Sequence, residues 1–312
     1  MAEVAIACQG GGSHSAFTAG VLQRLLVAED HRIVALSGTS GGAICALLAW
    51  YGLLTSSAAE AGRLLERFWE ANSATTLKDR AANAWLVGLA RLEGRVLTPP
   101  LVSPYAYPEY ARAALTNLLT RHVDFDRVAQ LQEGRGEDGP LLLVGAVDVA
   151  TGEHRAFSSR CREITVEAVL ASAAVPPLFR AVHVGDSYYW DGLFSQNPPV
   201  HQLPDAGPEE IWVIRINPLS RAREPKTIAD IADRRNELAG NLSLQQELHF
   251  IAKVNEWAER LGDRYRHIEV REIDLDLDLD VASKLDRNPA FISRLLEEGR
   301  REATRFLATV PS

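Results

Sequence analysis

The segment Gly38-Thr39-Ser40-Gly41-Gly42 contains the residues best suited to chemistry. It satisfies the G-x-S-x-G pattern of hydrolase nucleophiles, and it lies between a predicted strand, residues 33–36, and a predicted apolar helix, residues 43–54. Small flanking residues would let the chain turn sharply and hold Ser40 above the sheet edge, beside the positive end of the helix. The alternative is a Gly/Ser turn in which Ser40 only caps the helix.

A second glycine-rich turn, Gly10-Gly11-Gly12, follows the first predicted strand and opens the first predicted helix. Its backbone amides could therefore bind an anion. A dinucleotide site would need a third glycine where Ser15 stands and an acid near Leu36 at the end of the second strand. Because both are missing, we favour an oxyanion hole in which Gly10, Gly11 and Gly12 bind the oxygen of a tetrahedral intermediate.

A serine nucleophile needs a base, and the sequence offers two candidates near conspicuous turns. His14 lies in the glycine turn, where a helix N-terminus would favour its neutral form. Asp191 lies in Trp190-Asp191-Gly192, where apolar neighbours would raise the proton affinity of a carboxylate. An Asp-Gly turn that ends a hairpin is the simpler interpretation of the same residues. Four later histidines have no distinctive setting: His183, His201, His249 and His267.

The elements around these turns predict an α/β fold. Two strand–turn–helix units in the first 54 residues indicate a parallel sheet, and apolar runs at residues 141–147 and 211–216 add core strands. Residues 154–158 could pair beside the first of these runs, and residues 183–190 are typical of a hairpin. We therefore expect a three-layer α/β/α domain with a mainly parallel sheet.

Two regions are predicted to be mainly helical. Residues 55–139 show helical patterns separated by prolines, which we interpret as an insertion. Residues 227–260 predict a long helix that Gly240-Asn241 could interrupt, and residues 289–307 predict an amphipathic closing helix. Between them, leucine and aspartate alternate up to Asp280. This alternation is typical of a solvated strand face, although its acids also suggest calcium.

Composition excludes several classes of protein. The 33 basic and 41 acidic residues give a net charge of −8, so we expect no nucleic-acid partner. Three widely spaced cysteines encode neither a disulfide framework nor a zinc site, which favours a reducing compartment. The sequence has no signal-peptide pattern and no apolar run of membrane-spanning length, so we expect a cytoplasmic protein. It gives no indication of the oligomeric state.

Taken together, the motifs resemble the patatin-like phospholipase family. The matching segments are residues 9–12, 38–42, 171–179 and 190–192, the last continuing to Asn197-Pro198. The resemblance covers residues 4–217, and the tail from Ser283-Lys284-Leu285 onward resembles the C-terminal extension of a bacterial subgroup. The chain departs from the family pattern at His14, Ser15 and Leu193.

The resemblance implies hydrolysis of fatty-acyl esters by a Ser40–Asp191 dyad through an acyl-enzyme, with the Gly10–Gly12 amides as the oxyanion hole. It implies no cofactor and no metal. Residues 4–217 would form the catalytic domain, with residues 55–139 as a lid-like insertion and residues 218–312 as an extension packed on the same domain. The expected partner is a lipid or another acyl ester, with transient contact to a membrane surface as an option. Two alternatives stay open: an acyltransferase that uses the same dyad, and a non-catalytic lipid-binding protein that kept the fold.

Overall fold

The structure is a computed structural model that describes residues 1–92, 103–106, 108–134, 139–176, 178–221, 224–261 and 266–310. Its strands are β1 (Ala2–Cys8), β2 (His31–Thr39), β3 (Leu141–Asp148), β4 (His154–Ser158), β5 (Val182–Val184), β6 (Ser187–Asp191), β7 (Glu210–Arg215) and β8 (Glu269–Asp274). Its helices are α1 (Ser15–Leu25), α2 (Gly41–Thr55), α3 (Ala58–Asn72), α4 (Leu77–Leu92), α5 (Tyr110–His122), α6 (Phe125–Gly134), α7 (Val166–Ser172), α8 (Ile228–Leu261) and α9 (Pro289–Leu307).

The strands form one mixed sheet in the order β5-β6-β3-β2-β1-β7-β8, with β4 also paired to β3. Strands β3, β2, β1, β7 and β8 run parallel, whereas β4 and β6 run antiparallel to β3. Cys8 pairs with Gly38 on one side and with Ile214 on the other. The carboxyl ends of β1, β2 and β7 therefore meet at one edge of the sheet, which is where α/β proteins place their ligands.

Apolar side chains cover both faces of this sheet. In β7, Trp212 and Ile214 join the core shared with α1, α2 and α9, whereas Ile211 and Val213 join a second core that includes Leu244 of α8. Side chains that are buried in turn on opposite faces are the pattern of a central strand between two helical layers. The predicted three-layer α/β architecture with a mainly parallel sheet is confirmed.

Two helices differ from the sequence expectation. Helix α6 was not predicted from the sequence. The predicted interruption at Gly240-Asn241 was wrong, because α8 runs unbroken through both residues. Gly240 lies against the side chains of Asn197 and Leu193. Packing against this neighbouring loop compensates for the roughly 1 kcal/mol that glycine costs inside a helix.

Helices α3–α6 occupy the predicted insertion, of which residues 93–102, 107 and 135–138 lie outside the described residues. Leu65 and Phe68 of α3 are fully buried in the main core. In α4, by contrast, Leu77 and Trp85 are among the most exposed apolar side chains. The assignment of residues 55–139 as a lid-like unit stays a prediction.

The alternating leucines and aspartates belong only partly to a strand. Strand β8 ends at Asp274, but the alternation of burial continues: Leu275, Leu277 and Leu279 are half-buried against the core, and the intervening aspartates are exposed. Among the described residues, no group of three or more His, Cys, Asp or Glu side chains could hold a metal ion. Across all the residues that the structure describes, no helix is both long enough and apolar enough to span a bilayer.

Candidate active site

Ser40 occupies a strained turn between β2 and α2. Its φ and ψ are 57° and −129°, a backbone conformation that residues other than glycine rarely adopt. The turn is tight because the Cys8 carbonyl oxygen fills the space that a side chain at Gly42 would need. Ser40 is half-buried at the N-terminus of α2. The geometry matches a nucleophile elbow, which exposes the serine hydroxyl above the sheet edge.

A long-range hydrogen bond to Ser172 helps to fix the elbow. The Ser40 amide donates to Ser172 Oγ at 2.9 Å, and Ser172 Oγ donates to the Gly145 carbonyl at 2.6 Å. Ser172 is fully buried in α7, within the third segment that resembles the family. Sequence reasoning assigned it no role, because nothing local shows that it faces a residue 132 positions away.

Strand register brings Asp191 towards Ser40. Thr39 pairs with Gly145 of β3, and the next residue of β3, Ala146, pairs with Asp191 at the end of β6. Gly192 follows immediately, and its backbone lies directly against that of Gly145. The antiparallel strand β6 therefore delivers its last side chain to the edge at which the parallel strands end.

Asp191 is fully buried, and burial raises the pKa of its carboxyl from the usual 3.8 to about 7. The Ser40 hydroxyl and the Leu193 amide each act in the opposite direction and lower that pKa. Oδ1 accepts the Leu193 amide at 2.8 Å. Within the described residues the buried Oδ2 has no fully formed hydrogen bond, so the contact with Ser40 is looser than ideal. Such contacts often tighten only when substrate binds.

Side-chain amides hold the glycine loop. The Gly10 amide donates to Asn197 Oδ1 at 2.7 Å. The Gly10 carbonyl accepts from Asn197 Nδ2 at 3.2 Å and from Asn217 Nδ2 at 2.9 Å. Both asparagines are buried. The predicted Gly10 donor therefore already has an acceptor.

Gly11 and Gly12 differ from Gly10 in this respect. No acceptor for their amides is found in the described part of the chain. Gly12 has a φ of +60°, and the Lys284 carbonyl fills the space that a side chain would need, so only glycine suits this position. The predicted oxyanion donors that remain free are Gly11 and Gly12.

The candidate histidines are not arranged as bases for Ser40. His14 is buried, and its Nε2 lies 2.8 Å from Ser283 Oγ. Because that hydroxyl donates to the Asp280 carbonyl, His14 Nε2 must carry the proton and act as donor. Burial, followed by the nearby Lys284 charge, lowers the pKa of His14 to about 3 and keeps it neutral. The four later histidines are exposed: His183, His201, His249 and His267.

Two surface clefts lie away from these residues. One, of about 310 Å³, lies between residues such as Leu26 and Pro140. The other, of about 600 Å³, lies between α4 and the start of α9. Neither is lined by Ser40 or Asp191, so the clefts do not mark the chemistry of this site.

The family comparison agrees with the motifs. A family profile described as Patatin-like phospholipase matches residues 6–204, more than half of the 312-residue chain. The chain belongs to the patatin-like phospholipase family. The match includes the elbow, the glycine loop and Asp191, and family membership supports a lipid hydrolase.

Solved structures that are similar to this chain include VipD and ExoU. The structure of VipD from Legionella pneumophila is 12% identical with a TM-score of 0.49, and the alignment covers 99% of this chain and 67% of VipD. The type III effector protein ExoU is 15% identical with a TM-score of 0.38, over 98% of this chain and 53% of ExoU. This patatin-like chain thus spans about half the length of ExoU. No curated protein sequence matches it significantly.

Proposed function

We propose that this patatin-like protein is a serine hydrolase of fatty-acyl esters that uses a Ser40–Asp191 dyad. One observation carries the proposal: the strained Ser40 lies beside the fully buried carboxyl group of Asp191. The pKa of that group, about 7, suits a general base. A carboxylate with the usual pKa of 3.8 would be a weaker base at neutral pH. Burial of Asp191 supplies the difference.

The reaction follows from these groups. Asp191 accepts the Ser40 proton as Oγ bonds to the ester carbonyl carbon, and the carbonyl oxygen becomes an oxyanion. The Gly11 and Gly12 amides stabilise that charge, together with the N-terminus of α2. Collapse of the intermediate breaks the ester bond, and Asp191 returns the proton to the departing alcohol. Water then attacks the acyl-enzyme, gives a proton to Asp191, and releases the fatty acid as Ser40 regains its proton.

Labelling with a fluorophosphonate tests the nucleophile. We expect one adduct, on Ser40, by intact-mass analysis and peptide mapping. Ser40→Ala should lose the adduct and about 10⁴- to 10⁶-fold of turnover. Ser293→Ala, an exposed serine on α9, is the matched control and should label like the wild type. An adduct on another serine would refute the assignment.

A set of chromogenic esters from two to sixteen carbons defines the substrate class. We expect a stoichiometric acyl burst and a preference for longer acyl chains, because the family match points to lipids. Added alcohols distinguish an acyltransferase, since transfer would give new ester at the expense of free acid. No burst with any ester would favour the non-catalytic alternative.

A further inference from the structure

Helix α8 buries a polar face. Asp233, Glu237 and Asn241 are each no more than 4% exposed, and Glu247 is half-buried on the same side of the helix. We call these four residues the polar face of α8. Buried acids and amides need partners, so their partners show what the helix does. The helix lies wholly beyond residues 6–204, which match the family.

Asn241 connects α8 to the glycine loop. Its Oδ1 accepts from Gln9 Nε2 at 2.8 Å, and its Nδ2 donates to the Pro218 carbonyl at 3.0 Å. Gln9 immediately precedes Gly10, and its Oε1 accepts the amides of Ile216 and Asn217, both at 2.9 Å. Asn241 therefore orients the side chain that joins the start of the glycine loop to the end of β7.

Glu247 connects the same helix to the loop that follows Asp191. Its Oε1 accepts from Gln196 Nε2 at 2.6 Å. Its Oε2 accepts the amides of Val200 and His201 at 2.7 and 2.9 Å. The Gln196 carbonyl in turn accepts the hydroxyl of Thr39 at 2.7 Å, one residue before Ser40. One carboxylate thus holds three donors of the loop that also contains Asn197.

Asp233 and Glu237 complete the face at its N-terminal end. Both form ion pairs with Arg221, and Lys284 Nζ lies 2.8 Å from Asp233 and 3.8 Å from Glu237. The Lys284 carbonyl is the group that packs against Gly12. The polar face of α8 is therefore also connected, through Lys284, to the backbone that packs against Gly12.

We propose that the polar face of α8 positions the catalytic loops, and that Asn241 and Glu247 are positioning residues for the reaction at Ser40. The inference rests on the proposed function. Apolar side chains would pack α8 on the sheet without the cost of removing acids and amides from water. The polar side chains used instead form hydrogen bonds with the loops around Ser40 and Asp191. The helix outside the family match thus completes the site.

Variants at position 247 give the kinetic test. Glu247→Ala leaves three donors without an acceptor, and we expect kcat to fall about 10- to 100-fold while KM changes by less than about threefold. Glu247→Gln should restore most of kcat. Its side-chain oxygen can accept from the Val200 and His201 amides, and its NH₂ group can donate to the Gln196 side-chain oxygen once that amide turns over. Gln246→Ala, an exposed neighbour on α8, is the matched control. An unchanged kcat in Glu247→Ala would overturn the proposal.

Hydrogen exchange measured by mass spectrometry gives a test that does not depend on activity. Glu247→Ala should speed exchange in peptides covering residues 192–203, and Asn241→Ala in peptides covering residues 9–17. Exchange at residues 38–48, in the elbow, should stay at the wild-type rate. Equal exchange in the two loops of both variants would overturn the proposal even if Glu247→Ala folded poorly. A wild-type protein that does not label at Ser40 would instead refute the proposed function.

Discussion

The two halves of the candidate site are held by different kinds of contact. The elbow and Asp191 are placed chiefly by strand pairing among β2, β3 and β6, with added hydrogen bonds through Ser172 and the Thr39 hydroxyl. The glycine loop is placed by buried side chains, chiefly Asn197 and Asn217. Backbone pairing tolerates many side chains, whereas an amide network depends on each member. Substitutions near the glycine loop should therefore disturb the structure at a greater distance than substitutions near the elbow do.

Among the variants that test this comparison, the largest loss of turnover is expected from a change at Asp191. Asp191→Asn keeps the shape of the side chain and removes the base, so turnover should fall about 10²- to 10⁴-fold. Steady-state kinetics with a chromogenic ester measures this, with circular dichroism to show an intact fold. His183→Ala and His201→Ala are the controls and should keep most activity. If Asp191→Asn is active and a histidine variant is inactive, the base has been assigned wrongly.

The pH dependence of turnover should report the titration of Asp191, in the same half of the site. A base must be unprotonated to accept the Ser40 proton, so kcat/KM should rise with pH and level off above about 7. Below that value the rate should fall about tenfold per pH unit, which gives about 10²-fold between pH 7 and pH 5. A profile that levels off near pH 4 would show that Asp191 has the pKa of an ordinary exposed carboxyl.

The same titration should appear in stability. The folded pKa of about 7 lies above the usual value of 3.8, so folding takes up a proton between them and stability falls as pH rises through that range. Asp191→Asn lacks this loss. Its free energy of unfolding should match the wild type near pH 4 and exceed it at pH 8 by up to about 4 kcal/mol. Urea unfolding at both pH values measures the difference.

A smaller loss is expected from a slight shift of the glycine loop. Gly11 has an extended φ of 174°, which alanine adopts readily, but its Cβ would lie 3.1 Å from Ile216 Cδ1. Gly11→Ala should therefore fold and lower kcat about 10- to 100-fold, less than or equal to the loss of one oxyanion donor. Gly88→Ala, where nothing lies within 4 Å, is the control. NAD(H) or FAD binding by the wild type would contradict the oxyanion interpretation altogether.

The smallest effect is expected from the hydrogen bond between the elbow and Ser172. Ser172→Ala removes the acceptor of the Ser40 amide and the donor to the Gly145 carbonyl. Strand pairing still holds the elbow, so we expect less than about tenfold in kcat and about 1–3 kcal/mol in stability. A loss as large as that of Asp191→Asn would show that the elbow depends on side chains as much as the glycine loop does.

Sequence analysis predicted the parts of the site that are encoded locally. Ser40 and Asp191 lie in short motifs whose glycines and flanking strands restrict the backbone, so their neighbourhoods could be inferred without any distant contact. Asn197 was noted only as part of an Asn-Pro step, because its two bonds to Gly10 span 187 residues. The polar face of α8 was not predicted, since Asp233 and Glu237 in a charged helix are typical of an exposed surface. The hydrogen bond of the Gly10 amide could not be predicted either, because its acceptor lies 187 residues away in the sequence.

The distances along the chain that separate the glycine loop from its supports have a consequence for biosynthesis. Gly10 is held by residues 187 and 207 positions later, and Gln9 by a residue 232 positions later. Contacts this distant in sequence form late, because loop closure must precede them. A chain emerging from the ribosome contains Ser40 long before it contains the residues that support the glycine loop. The glycine loop can therefore reach its folded arrangement only after synthesis has passed Asn241.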